Sequence, residues 1–269
     1  MDKAMDLSFW QLASAYIFIV LLIVIVRLRG IPREKEIILA TARMSLQLIL
    51  AGYLLVYLFE NPHPLFTLLI IALMQAFAIY NIYKRTKYAL AFEMKKYIAY
   101  AMVVGIMISL FYFIFVVIGV EPWYEPRYFI PIAGMIIGNS MTGISLGVSN
   151  LIEGFQANKA RIEGALMLGA SPKAAAKKVV NQAFDSAMLP TINSMVGMGI
   201  VFLPGMMTGQ ILSGTSPLVA VEYQIAVMLG VAGSVSLTVI LYLQLAYRSF
   251  FNDRNQLIIQ KNNTKEMKK

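Results

Sequence analysis

Apolar residues gather along the chain in seven stretches broken by short polar segments, at about Leu7–Val26, Ile38–Phe59, Pro64–Tyr83, Ile98–Ile118, Phe129–Ser149, Ala187–Leu212 and Val219–Tyr247. Each has roughly the twenty residues that an α-helix needs to cross the hydrocarbon of a bilayer. The pattern predicts an all-α integral membrane protein of about seven transmembrane helices. The first run exceeds the roughly 7–15 apolar residues of a signal-peptide core and is read as a spanning helix, not a cleaved leader. The last is long for one crossing, which tilt accommodates, and is read as one helix.

One polar segment differs from the other breaks. From Leu151 onward, Leu151, Phe155, Ile162 and Leu166 recur at spacings of four, seven and four. That is the stripe of an amphipathic helix, with Glu153, Gln156, Lys159, Arg161 and Glu163 lying off it. Gly169 then supplies a helix stop, Ser171 a cap and Pro172 a first-turn residue for a second helix. Ala176, Val180, Ala183 and Ala187 share one face of that helix. A helical hairpin over 151–186 is expected outside the bilayer, between the fifth and sixth spans. It either docks a soluble partner or lies on the headgroups.

Composition agrees with a lipid solvent: 59% of the 269 residues are hydrophobic and 14% charged, with a mean hydropathy of +0.69. A soluble domain has roughly 45–50% apolar and 25% charged residues. The basic residues alternate by loop. Arg27, Arg29, Arg33 and Lys35 follow the first span, and Lys84, Arg85, Lys87, Lys95 and Lys96 the third. Lys159, Arg161, Lys173, Lys177 and Lys178 follow the fifth, and Arg248, Arg254, Lys261, Lys265, Lys268 and Lys269 the last. This puts 20 of the 23 Lys and Arg on one side, against Lys3 and Arg127 on the other, with Arg43 inside a span. Positive charge stays with cytoplasmic loops, so the N-terminus is expected outside and the C-terminus in the cytoplasm of a multi-pass cell-membrane protein. The net charge of +9 is thereby divided among loops, which suits anionic headgroups and not nucleic acid. Residues 1–269 read as a single membrane domain, with a polar tail at 252–269. The absence of cysteine excludes disulfides, thiolate metal sites and cysteine nucleophiles. His63, the single histidine, leaves no histidine cage within one chain.

Within the hairpin, Glu163, Gly164, Ala165 and Gly169 resemble the E-A-A-x-x-x-G signature by which permeases of ATP-binding-cassette (ABC) importers seat on their ATPases. Gly164 replaces the first alanine, and Asn181-Gln182 stands where the signature ends in Leu-Pro. A broader resemblance rests on Ala42-Arg43-Met44-Ser45-Leu46-Gln47, Gly138-Asn139-Ser140-Met141, the stretch from Glu163 to Pro172, and above all Phe202-Leu203-Pro204-Gly205-Met206-Met207-Thr208-Gly209-Gln210-Ile211-Leu212-Ser213-Gly214. Together these resemble the FetB-type (YbbM-like) ABC permeases, which include a bacterial iron-export permease and plant aluminium-sensitivity proteins. The resemblance implies a homodimeric transport subunit, not an enzyme, paired with two copies of a separate FetA-like cytoplasmic ATPase. ATP and Mg would belong to that partner, with no cofactor on this chain, and Glu163, Gly164, Ala165, Gly169, Ser171 and Pro172 would meet it. Export of a metal ion such as iron is the expected activity, the cargo being implied only loosely. The sequence has no G-x-x-x-x-G-K-[ST] phosphate loop, so energy comes from another polypeptide or from an ion gradient.

Polar residues inside spans mark helix contacts or an aqueous path. Arg43, with Gln47 one turn on, either snorkels to the inner surface or faces the fifth span and the path. The fifth span carries Asn139, Ser140, Thr142, Ser145 and Asn150, which line a path or bind helix to helix. Gly134 with Gly138, and Gly143 with Gly147, allow close helix approach. Met195, Met198, Met206 and Met207 read as adaptable packing or as ligands for a soft metal. Gln210 and Glu222 flank the last outer loop, as a cation exit or as solvated ends. Ala226, Gly230 and Ser234 form a small-residue ridge expected to serve as a dimer seam. The transport-path candidates are therefore Arg43, Gln47, Asn139, Ser140, Thr142, Gln210 and Glu222, with no metal-ligand set legible. The rival classes are an ion-driven secondary transporter, for which Asp185 and Glu222 are the titratable candidates, and an intramembrane enzyme, for which no nucleophile–base pair stands out.

Overall fold

The computed structural model describes residues 8–86 and 88–258, and within them the fold is helical throughout. The helices are α1 (Phe9–Ala15), α2 (Ile17–Leu28), α3 (Glu34–Glu60), α4 (Pro64–Arg85), α5 (Phe92–Tyr112), α6 (Pro126–Ala157), α7 (Lys159–Met167), α8 (Pro172–Gly197), α9 (Gly205–Leu212) and α10 (Pro217–Ala246). A π-helical turn, Phe113–Ile118, prolongs α5 until Gly119, whose φ of +64° ends it. A 3₁₀ turn, Tyr247–Phe250, prolongs α10. Local chemistry starts several of these helices. Ser8 and Gln11 form a capping box on α1, and the His63 ring accepts the Leu65 N–H ahead of Pro64 on α4.

Among the described residues six helices are long and apolar enough to cross a bilayer: Phe9–Leu28, Glu34–Glu60, Pro64–Arg85, Phe92–Ile118, Pro126–Ala157 and Pro217–Phe250. They match six of the seven expected spans, and the expected last stretch is indeed one helix. The sixth expectation needs correction, because Ala187–Leu212 is not a continuous helix. α8 stops at Gly197, the Gly199 N–H donates to the Phe202 carbonyl at 3.0 Å, and Gly199 has a φ of +84°. Glycine takes that left-handed conformation without the Cβ clash other residues meet. Pro204 then precedes the short α9.

The pairings nevertheless give α8 a direction. Gly143 and Gly147 of α6 face Ala187, and Gly154 faces Val179, so α6 and α8 are antiparallel. α6 and α10 are parallel: Ser140 meets Ser234, and the Phe155 and Phe250 rings stack with centroids 4.1 Å apart. α5 is antiparallel to α10, with Gly105 against Thr238 and Phe113 against Gly230. α8 thus returns the chain between two helices that run the same way.

The hairpin also differs from expectation in how it is attached. Leu151 and Phe155 do not begin a separate helix; they end α6, which runs unbroken for 32 residues. At 1.5 Å per residue that is about 48 Å, against a hydrocarbon core of about 30 Å. α7 holds only Ile162 and Leu166 of the predicted stripe, and the second hairpin helix is the first half of α8. The turn is built as the sequence predicts: Gly169 has a φ of +86°, and the Ser171 hydroxyl accepts the Ala174 N–H one residue before Pro172. Of the tail at 252–269, residues 259–269 lie outside the described residues, and Asn252–Gln256 forms a compact turn.

Small residues act inside the bundle. A Cβ on Gly230 would come within 2.7 Å of Phe113, and Ser234 is buried against Ser140. Two of the three residues of the ridge expected as a dimer seam, Gly230 and Ser234, therefore pack within one copy. At Gly105 a Cβ would sit 2.6 Å from Thr238 Oγ1 and 3.0 Å from its Cα. Gly105→Ala should cost about 1–3 kcal/mol by overpacking, read as a lower denaturation midpoint in detergent; an unchanged midpoint would mean that α5 and α10 separate freely.

Candidate functional site: a polar seam between α6 and α8

α6 is the hub of the bundle, yet one of its faces stays open. Asn139 and Thr142 are exposed, Leu146, Ser149 and Asn150 half-buried, and Glu153 and Ala157 exposed. Their spacings of three and four keep them on a single stripe. Asn139 Nδ2 donates to the Met135 carbonyl at 2.8 Å, Thr142 Oγ1 to Gly138 at 3.1 Å, and Asn150 Nδ2 to Leu146 at 2.9 Å. Each donor is satisfied by its own helix, which leaves the amide oxygens of Asn139 and Asn150 as acceptors for something else.

α8 offers a matching stripe in Gln182, Asp185, Ser186, Leu189 and Asn193, exposed except for half-buried Ser186. Because α6 and α8 pack side by side, the stripes meet at the foot of the hairpin. There Asn150, Glu153, Gly154, Ala157 and Asn158 face Gln182, Ala183, Asp185 and Ser186 across a groove of about 490 Å3. Tyr88, in the α4–α5 connection, donates to Glu153 Oε1 at 3.0 Å. Desolvation, then this bond to Glu153, pushes the Tyr88 phenol up from its ordinary value, so it remains a donor at neutral pH. Among the described residues no Lys or Arg pairs with Glu153 or Asp185. Nor does any group of three or more acidic or His side chains close in tightly enough to hold a bare metal ion.

The expected path residues separate into groups. Asn139 and Thr142 lie on the open stripe. Ser140, one residue away, is fully buried and 3.3 Å from Ser234 Oγ, a bond between helices. Arg43 and Gln47 are exposed on α3, with the Arg43 guanidinium carbon 5.1 Å from the Phe77 ring centroid. Gln210, on α9, buries an Oε1 that no described group bonds, and Glu222 is exposed near the start of α10. Neither lines the groove. Sequence reasoning missed the convergence of Glu153, Gln182, Asp185 and Ser186. The signal was present, since the phase of Asn139 and Thr142 continues through Glu153 without a break.

At the other end of the hairpin, Glu163 pairs with Lys159 at 3.8 Å, and Gly164 and Ala165 are half-buried. Gly169 and Ser171 are exposed, with Pro172 half-buried. Met167 and Leu168, not singled out from the sequence, are 86% and 91% exposed, an apolar pair at the tip of a polar projection.

Comparison with known proteins places this architecture. The family described as "Uncharacterised protein family (UPF0014)" matches residues 9–251. "UPF0014 membrane protein YjkA" of Bacillus subtilis is 35% identical over 255 residues, covering 93% of this chain and 98% of that protein. "Probable iron export permease protein FetB" of Escherichia coli is 34% identical over 249 residues, 93% of this chain and 94% of that one. "Protein ALUMINUM SENSITIVE 3" of Arabidopsis thaliana is 32% identical, covering 91% of this chain and 88% of the plant protein. No solved structure matches. With most of its described length matched and its helices apolar enough to cross a bilayer, the chain is a multi-pass membrane protein that belongs to the UPF0014 family.

Proposed function

We propose that the chain is the membrane-spanning subunit of an ABC transporter that exports a metal ion, iron foremost, as a homodimer driven by two copies of a separate ATPase. The name of the Escherichia coli relative supports iron and export. The hairpin carries the coupling role. α6 and α8 extend beyond a membrane-length segment, end in a capped turn, and present Met167 and Leu168 to solvent. An apolar anchor on a rigid polar arm suits a pocket on a soluble partner, whereas a headgroup-lying helix would spread its apolar stripe along its length. In this reading the hairpin and C-terminus are cytoplasmic, in keeping with the 20-to-2 division of loop charge, and α8, the Gly197–Pro204 break and α9 make the sixth of seven crossings, ahead of α10. Broken helices are a recurrent feature of transport sites. ATP and Mg sit on the partner.

Proteoliposomes containing the chain, with and without its co-purified ATPase, test this. ATP should drive Fe2+ movement only when both are present. Transport powered by an ion gradient without the ATPase would replace the proposal with a secondary transporter.

A further inference from the structure

We infer that the groove between α6 and α8 is a loading site for a hydrated divalent cation, held through its water shell and not by direct coordination. The chemistry of the lining comes first. Glu153 and Asp185 supply two carboxylates, and Asn150, Asn158, Gln182 and Ser186 supply neutral oxygens. Oxygen donors suit hard cations of the Mg2+ and Mn2+ type and not Cu(I). Tyr88 fixes one oxygen of Glu153 and leaves the other for a ligand. Lys178 lies one turn toward the tip on the same face of α8, but it is not among the lining residues. The two acids thus face the groove without a basic partner among the described residues.

Size decides the binding mode. A bare divalent ion needs ligands converging at about 2.0–2.6 Å, and among the described residues no group of three or more His, Cys, Asp or Glu side chains gathers to hold one. A hexahydrated ion occupies on the order of 200 Å3, from six waters at about 30 Å3 each. The groove, at about 490 Å3, admits that shell. Its amide and hydroxyl oxygens, spread over two helices, then accept from the aqua ligands while the carboxylates supply the countercharge. Mg2+ dehydrates reluctantly and usually keeps several of its waters when bound to protein, which suits a site that meets the ion through its shell. The groove stands at the foot of the stripe that leads to Thr142 and Asn139, so a cation held there is at the mouth of the seam.

The inference rests on the reading of the chain as a cation carrier, but its test needs neither ATP nor the ATPase. Mn2+ binding to the purified chain in neutral detergent is followed by loss of the free-ion paramagnetic resonance signal. Glu153→Gln and Asp185→Asn should each weaken binding roughly tenfold, and Glu121→Gln, an exposed acid just ahead of α6 and so at the opposite end of that helix from Glu153, should not. Hexaamminecobalt(III), whose ligands do not exchange, should displace Mn2+ because it mimics a hydrated ion. No Mn2+ binding by the wild type, or binding that both groove variants leave intact, overturns the site. Failure of hexaamminecobalt(III) to compete overturns the hydrated mode. Loss of ATP-driven transport with Mn2+ binding and its displacement intact would count against the transporter reading alone.

Discussion

Leu168→Glu is expected to cut recovery of the ATPase with the chain, and ATP-driven transport, by more than about tenfold, while membrane insertion and thermal stability stay at wild-type values. The Leu168 side chain is 91% exposed, so a carboxylate there costs the free protein almost nothing. If that side chain fills an apolar pocket on the ATPase, an anchor of this kind contributes about 2 kcal/mol or more, and 1.4 kcal/mol is a factor of ten in affinity. Gly169→Val acts by a different route. Gly169 has a φ of +86°, and a residue with a Cβ in left-handed backbone costs about 1–2 kcal/mol, so the tip is re-aimed. Glu163→Lys should do less, because Glu163 is already paired with Lys159 at 3.8 Å. Reversal there mostly exchanges an i,i+4 attraction for a repulsion of a few tenths of a kcal/mol. Co-purification and ATP turnover read all three variants. Wild-type coupling in Leu168→Glu would return the hairpin to the interfacial reading.

What the sequence disclosed follows the range of the forces involved. Caps and stops are local, so the Gly169–Ser171–Pro172 turn was legible residue by residue. Span length is a solvent property, and six of the seven spans were placed to within several residues. The sixth failed because hydropathy averages over a window, whereas helix continuity turns on single residues. Gly197, Gly199 and Pro204 break a stretch whose mean is still apolar. The fifth span was cut at Ser149 for the opposite reason: the polar residues beyond it read as the start of a separate amphipathic helix, although α6 itself continues to Ala157. Only tertiary packing tells which side of a helix a small-residue ridge serves. Ala226, Gly230 and Ser234 carry the right spacing for a seam between copies, yet Phe113 already lies against Gly230 and Ser140 against Ser234. The groove was hidden most deeply, since Glu153 and Asp185 are separated by 32 positions in sequence and meet because α6 and α8 are antiparallel.

Adjacent residues on α6 should therefore respond in opposite ways to similar substitutions. Asn139 and Thr142 lie on the open stripe, bonded only to their own helix. Asn139→Leu combined with Thr142→Val removes those polar atoms without disturbing a contact between helices, so the denaturation midpoint should hold. Transport should fall about tenfold or more, because a charged cargo loses the oxygens that replace its water along the path. Ser140→Val does the reverse. It breaks the 3.3 Å contact with Ser234 at a fully buried position, a loss of about 0.5–2 kcal/mol for a hydrogen bond between membrane helices, while leaving the stripe untouched. Its midpoint should drop and its transport per folded molecule should remain near wild type. Both quantities can be measured on the same preparations in proteoliposomes and detergent. Wild-type transport by the Asn139–Thr142 double variant would mean that this face of α6 meets lipid or protein and that the path runs elsewhere in the bundle.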